Sequence, residues 1–139
     1  MGYIKTFEAF GLSSVNITYK MIEEVTKGYI ETALWTAELD NLSYSDVSLA
    51  DVKNCQKDVR YLLNLLNDKR YLKELLKETD LSTIGHCFWL NRNGHGSGFW
   101  DQPTIDSDLG NEVSELVKAN FVEVPDPVLD EETGLAEFY

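Results

Sequence analysis

An α+β fold, with helices first and a small antiparallel sheet after them, is what the residue pattern predicts for this 139-residue chain. Three observations carry the prediction. Apolar residues recur at three- and four-residue spacing from Met21 to Ala37, and again from Val52 to Leu66. After Thr83 the period changes to two, and two further short β-type clusters lie at 121–124 and 135–139. That order, helices and then strands with one inserted helix, is the α+β pattern. The length predicts a single domain, 1–139, with enough chain for a sizeable core.

Residues 1–18 have aromatic and β-branched side chains without a period and read as an irregular arm or a short strand. From Tyr19 onward, Met21, Ile22, Val25, Tyr29, Ile30, Ala33, Leu34 and Ala37 form one helical face. Gly28 interrupts it at a cost of up to about 1 kcal/mol relative to Ala, so a start after Gly28 is the alternative boundary. "DNLSYSDVS" ends that pattern. Ser48 is a good N-cap for a second helix, whose stripe is Val52, Cys55, Val59, Leu62, Leu63 and Leu66. "DKRYLKELLKETD" adds an amphipathic piece with Tyr71, Leu72, Leu75 and Leu76 inward.

In "HCFWLN", His86, Phe88 and Leu90 alternate with Cys87, Trp89 and Asn91, as a strand would. "RNGHGSG" then supplies a turn and "FWD" a return strand, which predicts a hairpin over 86–101. Asn93 and Gly94 would make its turn, and Arg92 would pair with Asp101 across it. "DLGNEVSELVKAN" predicts the inserted helix at 109–119, capped by Asp108, and strands at 121–124 and 135–139 complete the sheet.

Charge is unevenly placed. Residues 1–100 carry 13 acidic and 11 basic side chains, whereas residues 101–139 carry 11 acidic and one basic, Lys118. Direct nucleic-acid binding is therefore not expected, because phosphates would be repelled. An acidic face of this kind suits basic surfaces on partner proteins, including those that hold DNA. Its candidate members are Asp126, Asp130, Glu131, Glu132 and Glu137.

No apolar run is long enough to span a membrane, and "MGYIKTFEAF" lacks the pattern of a secretory signal. Gly2 with Thr6 matches only the loose myristoylation pattern. Cys55 and Cys87 have neither CxxC nor metal-type spacing, so two free thiols in a cytoplasm are expected.

The stretch "GHCFWLNRNGHGSGFWDQP", Gly85 to Pro103, concentrates aromatics, glycines and both histidines. Packing around a hairpin accounts for most of them. "HGSG" resembles an oxyanion-hole turn, but the chain lacks a G-x-S-x-G elbow, and adjacency of His95 and Ser97 does not bring base to hydroxyl. His86, His95 and Asp101 are weak metal candidates, since their spacing fits no standard site. The stronger chemical reading is a small anionic ligand or nucleotide. Arg92 would hold its charge, Asn93, His95, Gly96 and Ser97 would cradle it, and Trp89 and Trp100 would stack on a base. No cofactor is implied, and the chain is read as a binding protein rather than an enzyme.

The same stretch resembles a signature of small proteins from tailed bacteriophages and some plasmids, roughly G-H-x-F-W-L-x-R-N-G-H-G-x-G-F-W-D. Gly85, His86, Phe88, Trp89, Leu90, Arg92 to Gly96 and Gly98 to Asp101 fit it. "YIETALW" (Tyr29 to Trp35) and "LDNLSYSDVSLADVKNCQKD", with Cys55, are similar to the upstream part of those proteins. The likeness covers Tyr29 to Tyr139; the usual relatives begin close to "YIE", so residues 1–28 depart from the pattern. It implies a phage or mobile-element origin and a bacterial host cytoplasm, and it transfers no activity. The expected function is that of a phage accessory protein that binds, and inhibits or redirects, a host or defence protein, with the nucleotide-type ligand as the alternative.

Overall fold

The first half of the signature stretch, from Gly85 to Asn93, is the end of a helix, and that helix packs at the centre of the fold. In the computed structural model, which describes residues 14–94, 97–122 and 125–138, five α-helices precede a two-stranded antiparallel sheet. They are α1 (Tyr19–Thr36), α2 (Leu49–Asp68), α3 (Tyr71–Glu78), α4 (Leu81–Asn93) and α5 (Ser107–Asn120). The strands are β1 (Pro127–Asp130) and β2 (Leu135–Phe138), and short 3-10 turns lie at Tyr44–Asp46 and Phe99–Asp101. The α+β class holds, but of the predicted hairpin at 86–101, residues 86–93 are helical and 99–101 form a 3-10 turn.

Local chemistry explains that correction. Asp80 caps α4 by accepting from the Thr83 N–H at 2.8 Å. Gly94, read from sequence as a hairpin turn, is the left-handed C-cap at φ 67°, with its N–H returned to the Leu90 carbonyl. Between them Ile84, Gly85, Cys87, Phe88, Trp89, Leu90 and Asn91 are all buried, so the helix has almost no polar face. A helix apolar on nearly every side loses the 3.6-residue signal, and over six residues its sequence is indistinguishable from a strand. Cys87 accordingly lies on this helix, not on a strand.

Helices α1 and α4 form the main packing unit, and two glycines set their separation. A methyl group at Gly28 would sit 2.3 Å from the Ser82 carbonyl oxygen, and one at Gly85 would sit 2.1 Å from that of Val25. Gly28 therefore belongs inside α1, and the alternative start after it does not occur. Around this contact Tyr29 stacks near Phe88, with centroids 4.9 Å apart, and meets Trp89 edge-on at 5.2 Å. Val59, Leu62, Leu63 and Leu66 of α2, Leu72 and Leu75 of α3, and Val113 and Val117 of α5 complete one buried cluster.

The second predicted helix starts as expected. Ser48 accepts from the Asp51 N–H at 3.2 Å and caps α2. The inserted helix is α5, a little longer than 109–119. Its cap is Asp106, not Asp108: one Asp106 oxygen takes the N–H groups of Asp108 and Leu109. Of the expected strand at 121–124, Phe121 and Val122 are not in a strand, and 123–124 lie outside the described residues. The pairing partner of the C-terminal strand is β1 instead, in the register Val128 with Glu137 and Leu129 with Ala136. This hairpin is anchored by a parallel bridge from Val47 to Ala136 and by the Phe138 N–H on Asp51.

Of the predicted arm, residues 1–13 lie outside the described set; 14–18 contain no strand. Asn67 of α2 clamps this segment with two bonds, accepting from the Val15 N–H at 2.9 Å and donating to its carbonyl at 2.8 Å. Among the described residues no helix is long and apolar enough to cross a membrane.

Candidate functional site

Arg92 leaves α4 on its last turn and points into the protein. Its side chain is 7% exposed, and one guanidinium nitrogen donates to Asp58 at 2.8 Å and to the Tyr29 hydroxyl at 2.9 Å. The guanidinium carbon also lies over the rings of Phe88, at 5.7 Å, and Phe121, at 5.2 Å. The expected pairing with Asp101 is replaced by one with Asp58, because a helix turns Arg92 toward α2 where a hairpin would have turned it across the strand. A guanidinium so enclosed is a core group and is not presented to a solvent-borne anion.

Trp89 is likewise part of the core. Only 2% of it is exposed, and its indole N–H donates to Thr36 at 2.9 Å. Asn93 is spent on the carbonyl of Trp89, at 3.1 Å. Trp100 is half-buried beside Gly98, and Ser97 is half-buried at the rim of a depression. His95 and Gly96 lie outside the described residues. Among the described residues no group of three His, Cys, Asp or Glu side chains is placed to hold a metal ion, so His86 and Asp101 have no third ligand there.

Both cysteines are free and buried. Burial pushes the Cys55 thiol up to about 12, helped by Asp58 and Asp51, and pushes the Cys87 thiol to about 12, helped by Asp101. Such thiols stay protonated and suit packing rather than chemistry.

The acidic candidates are on the surface of the sheet and its turn. Asp126, Glu131 and Glu132 are exposed, while Asp130 and Glu137 are half-buried. The Asp130 carboxylate accepts from the Glu132 N–H at 2.9 Å, which holds its pKa below the usual carboxylate value. Asp108, Glu112 and Glu115 add exposed carboxylates on α5, where Lys118 lies 3.9 Å from Glu115.

One constellation escaped the sequence reading in part. Trp35 on α1 is 59% exposed, and its ring lies 6.5 Å from that of His86 on α4, tilted by 31°. These two side chains form the wall common to two surface depressions. The first, of about 440 Å³, is lined by Gly28, Glu31, Thr32, Ser82 and Thr83 as well. The second, of about 340 Å³, adds Thr36, Leu90, Ser97, Asp101 and Gln102.

His86 is fixed by Thr32. The Thr32 Oγ1 lies 2.8 Å from the Gly28 carbonyl oxygen and 2.9 Å from His86 Nδ1. Two oxygens at that distance need a proton between them, so the single hydroxyl proton goes to Gly28. Nδ1 must then carry the proton it shares with Thr32, and Nε2 of the neutral ring holds a lone pair. Burial lowers the His86 pKa, against an opposing pull from Asp101, so the neutral ring is the form present near pH 7. In the sequence this place is marked only by His86, as a weak metal candidate; Trp35 carries no signal of its own there.

No family model, no curated protein and no solved structure matches this chain. The functional reading therefore rests on the residues themselves.

Proposed function

We propose that this chain is a phage or mobile-element accessory protein that acts by binding, and that it inhibits or redirects a bacterial host or defence protein through its acidic C-terminal third. The observation that carries the reading is the exposure of Asp126 just before β1 and of Glu131 and Glu132 in the turn after it, together with Asp108, Glu112 and Glu115 on α5, in a segment whose one cation is Lys118. The signature resemblance supports the phage origin. A basic groove on a partner, such as one that normally accepts DNA, would meet complementary charge here. The alternative, a nucleotide held by the Arg92–Gly98 loop, has less support, because Arg92 and Trp89 are occupied within the core.

Capture from bacterial lysate tests the reading. The wild-type chain is expected to retain a basic protein at low salt and to release it as salt rises, since exposed charges are screened within about 10 Å at 0.1 M. The triple variant Asp126→Asn, Glu131→Gln, Glu132→Gln should lose that partner while melting at the same temperature. Capture that is unaffected by salt and by the variant would remove the acidic face from the function.

A further inference from the structure

We infer that the Trp35–His86 wall is a binding site for a guanidinium group, received in the depression that ends at Asp101. Four features select that chemistry. Trp35 offers an exposed aromatic face, which attracts a planar cation. His86 offers an Nε2 lone pair, and among the described residues nothing donates to it. Asp101 keeps one oxygen on the Gly98 N–H, at 3.0 Å, and its other oxygen is without a protein donor among the described residues. Among the described residues neither depression is lined by a Lys or Arg side chain, and each has one carboxylate, Glu31 in the first and Asp101 in the second.

Anions are thus repelled from both sides of His86, and a ligand rich in acceptors finds few donors. The fit is to a flat cation with several N–H groups, which is the guanidinium pattern. Of the two depressions, the second is the better receptacle. Nδ1 is spent on Thr32, which lines only the first, whereas Asp101 lines only the second. Leu90 there offers apolar surface to a methylene stem, and Ser97 and Gln102 add polar groups at the rim. The inference uses α1, α4 and the turn after α4, so it stands or falls apart from the acidic sheet surface.

A guanidinium can arrive as an arginine side chain of a partner protein or as a free arginine-like metabolite. Two probes separate these sources: N-acetyl-L-arginine methylamide, which imitates a residue in a chain, and free L-arginine. Each is titrated into the isotope-labelled full chain while the Trp35 indole N–H and the His86 ring signals are followed by NMR. Saturable shifts at both residues with the blocked arginine, and weaker ones with N-acetyl-L-lysine methylamide, are expected. Tighter binding of free arginine would support the metabolite source, and tighter binding of the blocked form the protein source. Trp35→Ala should weaken binding by about 2- to 5-fold, the loss of an exposed cation–π contact. Asp101→Asn, which retains the oxygen used by Gly98, should weaken it as well. Equal shifts with lysine, stronger shifts with adenosine, or wild-type binding by Trp35→Ala would each overturn the proposal, as would the absence of any saturable shift at Trp35 and His86.

Discussion

Arg92, at the end of α4, reaches across the core to Asp58 in the middle of α2 and donates to it at 2.8 Å. The two ends of this pair differ: the Arg92 side chain is 7% exposed and that of Asp58 is 39% exposed. The charge is therefore held inside by a carboxylate that still sees solvent, with the Tyr29 hydroxyl and two aromatic rings around it. This pair ties the end of α4 to α2.

Replacing Arg92 by Ala should therefore destabilise the fold rather than abolish a ligand site. Truncating this enclosed side chain empties the space beside the Phe88 and Phe121 rings, a large-to-small core change that costs about 2–5 kcal/mol. Asp58→Asn keeps an acceptor for Arg92 but leaves the enclosed guanidinium without its counter-charge, and should cost about 1–3 kcal/mol, the range for hydrogen bonds to charged groups. Arg92→Lys should not restore stability, because a compact, strongly hydrated ammonium does not reproduce the flat guanidinium over the Phe88 and Phe121 rings. Urea unfolding followed by circular dichroism checks all three. An Arg92→Ala protein with an unchanged midpoint would contradict the core role.

The glycine contacts of α1 with α4 give a second prediction with an unusual sign. Gly→Ala inside a helix ordinarily gains about 1 kcal/mol. At Gly85 the added methyl would meet the Val25 carbonyl oxygen at 2.1 Å and the Tyr29 nitrogen at 2.7 Å, both backbone atoms that cannot swing away. Gly85→Ala and Gly28→Ala should hence lower the melting temperature, because contacts this close to backbone put the overpacking cost at about 3 kcal/mol or more, which exceeds that gain. Gly94→Ala meets no neighbour but must adopt φ 67°, so its loss should be smaller, about 1–2 kcal/mol. A ranking in which Gly94→Ala is the most damaging would place the weight on the cap and not on the helix contact.

The cysteines predict how stability depends on alkaline pH. In the unfolded chain both thiols titrate near the ordinary value of about 8.5. Burial raises each to about 12 in the native state. A thiol with a raised native pKa contributes stability that is complete below the unfolded value and is lost as pH rises toward the native one. Denaturant midpoints should thus hold steady up to about pH 8 and fall between there and pH 12. At pH 8 both thiols should resist a disulfide reagent in native buffer and react at once in urea. Rapid native labelling of either cysteine would show that its helix opens far more readily than this packing implies.

The parts of this fold that were legible in the sequence share one property: they keep one side wet. The stripe Val52, Cys55, Val59, Leu62 faces inward while Lys53, Asn54, Lys57 and Arg60 stay in solvent, so periodicity alone identifies α2. The same holds for α5, and for β2 through its buried Ala136. Helix α4 was illegible because the surrounding elements cover it, and its Asn-Gly end imitates a hairpin turn. Misreading that one element displaced the candidate site too. It put Arg92 and Trp89 at an open loop when the helix turns both into the core. His86 entered only as a weak metal ligand, and Trp35 not at all, since a lone tryptophan on a helix gives no signal until its neighbour on another helix is known.

His86 supplies the last prediction, and its sign follows from burial. Desolvation lowers the native pKa, with Asp101 pulling the other way. In the unfolded chain the ring titrates near about 6.5. Above that pH both states are neutral and the ring's contribution to stability is intact; as pH falls through the native pKa the unfolded state takes up the proton first, and stability declines. Removing the opposing charge with Asp101→Asn should lower the His86 pKa further. Thr32→Val removes the acceptor for Nδ1–H from a side chain that is 6% exposed, and should cost about 1 kcal/mol. Ring-nitrogen NMR at neutral pH should find the proton on Nδ1 in the wild type and a more even division between the nitrogens in Thr32→Val. A wild-type ring protonated on Nε2, or titrating above the ordinary value, would contradict the Gly28–Thr32–His86 relay and with it the lone pair offered to the Trp35 side.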